Sequence, residues 1–384
     1  MRRWLLAATA ALALAGCVLV VTQSHSARQS SDFTFYYGAA LLVREGHAAD
    51  VYRQPALDAV IRRVAPDSAV DRRLPFNLPL AATLPLLPLT VLPLDLAFRV
   101  WQLICLALLV FTVLLLNRVY PLGRAGALFG VLGLVAAVPA WAVLTEGQLT
   151  PLPVLGSALL LAAVRRDLPW LALGGAALLA VKPHFLPVYL LALLSARMWG
   201  GMLAALVGAG VVLLSPLVAG GPAGIWAMVG NAIGTNQLVP VRLTEAWSGL
   251  LAMVVPGQEL TLLSLLLYAG TLAALAVIAV GGPANPFAYA AIGGWVAMLG
   301  SPHVLPHDLL LLMAPSWLVF RLQSQGLMAS PVVPLLVIDL ALLLDVRGLG
   351  LVVAPLLMTA GAAWGLWEFR RRAGRQAQPA AVAA

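Results

Sequence analysis

The sequence predicts an all-α, polytopic integral membrane protein of about 12 transmembrane helices with a long first extracytoplasmic loop. Three observations predict it. Hydrophobic residues make up 62% of the 384 positions and charged ones only 10%, with a mean hydropathy of +0.96; soluble domains average about 45–50% apolar and about 25% charged. Continuous apolar runs such as LALLVFTVLLL recur, whereas barrel strands would alternate. Arginines collect at short loops and the C-terminus, the positive-inside pattern, so the net charge of +8 points to a bilayer and not to nucleic acid.

Taken in order, span 1 covers about 4–22. MRRWLLAATAALALAGC has a basic start and a lipoprotein-like box at Cys17, but the apolar run continues as VLVV, so an uncleaved span is expected. Segment 23–74 is the one long hydrophilic stretch and should fold as an ordered extracytoplasmic loop with short amphipathic helices such as ADVYRQPALDAVIRRV. Segment 75–94 carries prolines at 75, 79, 85, 88 and 93. Each interior proline removes a helical hydrogen bond, so this piece reads as interfacial or re-entrant. Further spans are expected at about 95–116, 125–144, 149–164, 168–181, 184–197, 201–219, 259–280, 285–300, 308–321, 331–344 and 349–367. A second outer loop, rich in Gly, Asn, Trp and Pro, is expected at 220–258, and a polar cytoplasmic tail at 370–384. The chain reads as one transmembrane domain, 1–384. Cys17 and Cys105 both lie in apolar runs and offer no disulfide framework or metal spacing.

With the N-terminus cytoplasmic, the loops placed inside (117–124, 165–167, 197–200, 281–284, 321–326 and the tail) hold, with Arg2 and Arg3, twelve arginines against Asp167 and Glu368. All five histidines (His25, His47, His184, His303, His307), the single lysine Lys182, and Asp32, Glu146 and Asp308 then fall on the outer side. An inert scaffold gives no reason for that gathering; a site on that face does.

Four motifs would meet there. In Ser31-Asp32-Phe33, with Tyr36 and Tyr37 a turn further on, a poorly solvated carboxylate could serve as a general base. The same residues also read as an N-cap followed by an aromatic belt, and both can hold at once. Thr145-Glu146-Gly147-Gln148 joins two spans, with Glu146 the only acid between Asp95 and Asp167; a polar site or a simple turn both fit. In Lys182-Pro183-His184 the one lysine stands against 22 arginines, suiting a compact charge for phosphate, or a snorkelling side chain. In SPHVLPHDLLLL, His303 and His307 are four apart beside Asp308. On a helix they could bind metal, but Pro302 and Pro306 favour an extended loop that hydrogen-bonds phosphate or sugar. Asp339 is an intramembrane acid without an evident partner.

The order SDFTFYYGAALLVREGHAADVY, a proline-rich segment ending LPLDLAFRVWQ, TEGQLTPL, a Lys-Pro turn and SPHVLPHD resembles the membrane glycosyltransferases of family 87, in the GT-C fold superfamily, over roughly residues 30–320. The resemblance implies a GT-C-like fold and extracytoplasmic transfer of a hexose, such as mannose, from a polyprenyl-phosphate sugar to a lipid or glycan acceptor. It implies the cell inner (plasma) membrane, with Asp32 at the position of the family's base. Lys182, His184, Glu146, Gln148, His303, His307, Asp308 and Tyr36 would then bind substrate, with no metal and no other cofactor. Where the family shows Tyr-Pro-Pro, this chain has Leu74-Pro75-Phe76-Asn77-Leu78-Pro79. The competing reading is a multi-pass transporter or flippase, which would place its charges near the bilayer midplane in broken helices.

Overall fold

Prolines divide this apolar chain into helices of unequal length. The computed structural model describes residues 2–68, 74–238, 244–255, 259–281, 286–326, 355–361, 363–364 and 367. Among these every regular element is helical. In chain order they are α1 (Arg2–Thr22), α2 (His25–Gln29), α3 (Phe33–Arg44), α4 (Gln54–Val64), α5 (Leu94–Val119), α6 (Gly123–Ala136), α7 (Val138–Glu146), α8 (Pro151–Arg166), α9 (Pro169–Leu179), α10 (Leu186–Ser195), α11 (Trp199–Leu213), α12 (Pro216–Leu238), α13 (Trp247–Leu251), α14 (Glu259–Gly281), α15 (Pro286–Gly300) and α16 (Met313–Ser324). Four 3-10 segments join them, at Ala48–Asp50, Leu80–Val91, Pro183–Phe185 and Pro306–Leu312.

The expected all-helical class is present, but the described residues do not show twelve spans. Among the described residues three helices are long and apolar enough to cross a bilayer: α5, Pro216–Thr235 of α12, and Leu262–Val280 of α14. The bent pair α6–α7 would make a fourth. Apart from α1, with 21 residues, the other described apolar helices are shorter; the 16 residues of α8 reach only about 24 Å, against about 30 Å of hydrocarbon. Proline placement explains the shortening. Pro151, Pro169, Pro187 and Pro216 all sit in first helical turns, where a missing N–H costs nothing but the previous helix cannot continue through.

The span expected at 125–144 is broken at Ala137, and α6 and α7 meet at 57°. Pro139 lacks the N–H that would bond Val135 O, and the Trp141 indole donates to that carbonyl instead, at 2.8 Å. The span expected at 201–219 stops at Leu213. The second outer loop expected at 220–258 is in its first half a helix: α12 continues to Leu238 across a break at Gly220–Gly221. Its Gly and Asn content suggested a loop, but Trp226, Val229 and Ile233 recur at helical spacing. The spans at 184–197 and 308–321 each begin as a 3-10 segment. The span at 331–344, Asp339, residues 282–284 of the expected loop and the tail at 370–384 lie outside the described residues; of the span at 349–367, residues 355–361 are helical.

Other expectations are met. α1 runs unbroken through Cys17, and segment 23–68 folds into α2, α3, a 3-10 turn and amphipathic α4. Across the proline-rich segment the chain is 3-10 helical from Leu80 to Val91. Tyr37 of α3 donates to Leu92 O at 2.8 Å, and Asn231 of α12 donates to Tyr52 O and Phe76 O at 3.1 and 3.0 Å. These bonds tie α3 to the segment before α5, and the segments at Tyr52 and Phe76 to α12.

The core centres on α8, which packs against α5 and α9, while α9 packs against α11. Gly156 and Gly175 let α8 and α9 touch backbone to backbone: a Cβ at Gly156 would stand 2.5 Å from Gly175 O. The N-terminus of α8 and the C-terminus of α9 are thereby held side by side at the end where the polar motifs lie.

Candidate functional site

Asp32 stands at the N-cap position of α3 but does not cap it. Its backbone is already helical (φ −61°, ψ −24°), whereas a capping side chain needs an extended residue to reach back to the first amides. Ser31 does not cap either; its hydroxyl donates to Arg28 O at 2.7 Å. The Asp32 carboxylate instead accepts a hydrogen bond on Oδ2 from Gln148 Nε2. The Tyr36 hydroxyl donates to Gln148 Oε1 at 3.0 Å. Burial pushes the Asp32 carboxyl above its ordinary 3.8; Lys182 and the Gln148 bond pull it down, and Asp308 pushes it up.

Gln148 is delivered by a turn that the sequence over-determines. Gly147 is left-handed (φ 62°, ψ 37°), and a Cβ there would lie 2.6 Å from Phe33 Cβ. The Trp101 indole donates to Gly147 O at 3.0 Å, and Gln102 donates to Leu144 O at 2.8 Å. Glu146 closes α7, and its carboxylate hydrogen-bonds the Asp32 main chain.

Lys182 lies at the end of α9, where Pro183 stops the helix. It is 9% exposed. Its Nζ donates to Asp308 Oδ1 and, at 3.1 Å, to Thr150 Oγ1. Asp308, 1% exposed, accepts the Leu305 N–H on Oδ2 at 3.1 Å, and His307 Nε2 stands 3.5 Å from its Oδ1. His184 stacks on Phe185 with ring centroids 4.1 Å apart, and its buried Nε2 has no hydrogen-bond partner. Burial pushes the His307 imidazole down to about 3, with Lys182 and His303 adding and Asp308 opposing; His303 is lowered for the same first reason. Both rings are therefore neutral at pH 7. Lys182 is the cation of this cluster.

The structure thus brings together every residue expected at the site: Asp32, Tyr36, Glu146, Gln148, Lys182, His184, His303, His307 and Asp308. It does not bring in all the histidines. His25 pairs with Asp95 at 2.6 Å and His47 lies 3.7 Å from Asp50, both exposed and apart from the cluster. His303 and His307 do not share a helix face, because His303 lies in an extended loop ahead of the 3-10 segment. Among the described residues no three His, Cys, Asp or Glu side chains are grouped as metal ligands.

Two members escaped the sequence reading. Thr150 gives no signal beyond its place in TEGQLTPL. Glu245 lay in the supposed loop, yet it is buried and its N–H donates to Val304 O at 2.7 Å beside His303. An apolar cavity of about 230 Å³ opens on the Lys-Pro-His turn, lined by Asn77, Pro79, Pro183, Leu213, Met228 and Ile233 among others. No family model, curated protein or solved structure matches this chain.

Proposed function

We propose that the protein is an integral membrane glycosyltransferase of the GT-C kind, with about 12 spans. It would move a hexose, mannose first, from a polyprenyl-phosphate sugar to a lipid or glycan acceptor on the outer face of the plasma membrane. The observation that carries this reading is that a buried carboxylate, Asp32, and the chain's one lysine, Lys182, share a single polar cluster in which the Lys182 charge favours the ionised form of Asp32. A base and an anion-binding cation are the two groups this transfer requires. The resemblance to family 87 rests on the motifs alone.

In the proposed step Asp32 takes the proton of the acceptor hydroxyl, and that oxygen attacks the anomeric carbon from the face opposite the phosphate. The anomeric C–O bond breaks, its electrons leave with polyprenyl phosphate, and the sugar configuration inverts. Lys182 and the neutral histidines receive the growing phosphate charge. The apolar cavity at Pro183, the residue after Lys182, would give the first prenyl units a wall to lie against. One observation favours the transporter reading: the break between α6 and α7 lies in a helix pair that ends at the site.

The test is transfer from a labelled polyprenyl-phosphate sugar by reconstituted protein. Asp32→Asn should lower turnover about 10²–10⁴-fold. Activity within a few-fold of wild type would remove Asp32 from the role. Counter-flow of labelled substrate without chemistry would favour transport.

A further inference from the structure

Gln148 is 2% exposed and both ends of its amide are committed within the protein. The ionised Asp32 carboxylate can only accept, so it fixes which end of the Gln148 amide is nitrogen, and the Tyr36 hydroxyl then donates to Oε1. Nε2 is therefore the end facing Asp32 Oδ2. The Gly147 turn that carries Gln148 is held by Trp101, which donates to Gly147 O, and by Gln102, which donates to Leu144 O. Gln148 was expected to bind substrate; its geometry gives it different work.

We propose, resting on the transferase reading, that Gln148 is a positioning residue. It grips one oxygen of Asp32, is itself oriented by Tyr36, and leaves Oδ1 to take the acceptor's proton. Gln148 then sets when Asp32 is ionised without touching either substrate.

The groups facing Asp32 define the expected direction. Lys182 favours the carboxylate; Asp308 disfavours it; Tyr36 and Gln148 hydrogen-bond in line with it; Glu146 bonds its main chain. His184, His303 and His307 surround the Lys182–Asp308 pair. Removing the Gln148 donor leaves burial and Asp308 opposed by Lys182 alone, so Asp32 should hold its proton to higher pH.

The experiment is a pH–rate profile of the full-length protein in proteoliposomes, paired with an infrared titration of the Asp32 carboxyl band, assigned by its loss in Asp32→Asn. In Gln148→Leu the acid limb and the infrared midpoint should both rise by about one to two pH units, the worth of one charge-assisted hydrogen bond. Turnover should fall while KM holds. Tyr36→Phe should shift both the same way by less, and Gln148→Glu, which keeps the shape, by at least as much because a second carboxylate faces the first. A raised KM on an unmoved limb would make Gln148 a substrate contact and overturn the inference. An unmoved infrared midpoint in Gln148→Leu and Gln148→Glu would overturn it too, and needs no activity. Absence of transfer by the wild type would instead sink the transferase reading.

Discussion

Breaking the Lys182–Asp308 pair from one side leaves a buried charge without a counter-ion, which costs about 3–5 kcal/mol. Lys182→Met should therefore lower both the unfolding midpoint and activity. Lys182→Met with Asp308→Leu should recover most of the stability, because replacing both ions together is often neutral, while transfer stays lost. Recovery of transfer by the double variant would show that the pair serves only the fold. Asp32 makes the opposite case. Its folded-state pKa lies above the unfolded value, so its favourable contribution is present below the unfolded pKa and is lost as pH rises through the folded one. When ionised, the carboxylate is held against its burial. Asp32→Asn should thus unfold at a midpoint no lower than wild type at neutral pH while losing turnover, a separation readable by calorimetry beside the transfer assay. The wild-type rate should fall as pH drops through that same raised value, since a protonated Asp32 accepts nothing.

At the scale of elements, the turn after α7 sets the distance between two parts of the site. Gly147→Ala forces a left-handed alanine and places a methyl 2.6 Å from Phe33 Cβ. The strain alone is on the order of 1–3 kcal/mol, and the relief available is for α3 and α7 to separate, pulling Gln148 from Asp32. The expected result is a modest loss of thermal stability with a larger loss of turnover. A variant losing stability but keeping full turnover would show that the turn does not govern the site. The kink above it has the same physical origin as the short helices elsewhere: a proline removes one N–H, and a side chain, here Trp141, takes the freed carbonyl.

For the whole molecule, the proposed orientation places 23–74 outside and 165–167 inside. Cysteines at exposed His47 and at Asp167, in a background with Cys17 and Cys105 replaced, should label oppositely with a membrane-impermeant maleimide applied to intact cells: His47→Cys reacts, Asp167→Cys only after lysis. Labelling of both from outside would overturn the topology. Much of the architecture was legible beforehand. The helical class followed from apolar runs that leave the backbone no other way to satisfy itself in lipid. The refusal of 75–94 to form a straight helix followed from its prolines, and α4 from its amphipathic pattern. What misled was composition: glycine and asparagine at 220–238 read as loop, although their apolar neighbours kept helical spacing. Among the described residues three helices, or four with the bent pair α6–α7, are long and apolar enough to cross, and prolines at helix starts shorten many of the others.

The amino-acid sequence by itself settled that this chain is built of apolar helices and keeps most of its titratable groups at segment ends, because each charge left within an apolar run costs several kcal/mol. Tertiary packing alone decided how those groups are used. Only the close approach of α8 to α9, two glycines in contact, sets Thr150 beside Lys182. Only the meeting of Asp308 with Lys182, 126 residues apart, turns a lone lysine into half of an ion pair. Asp32 was open to two local readings, cap or base. Local sequence could not choose between them, because the partner that draws the carboxylate off the helix end, Gln148, lies 116 residues away.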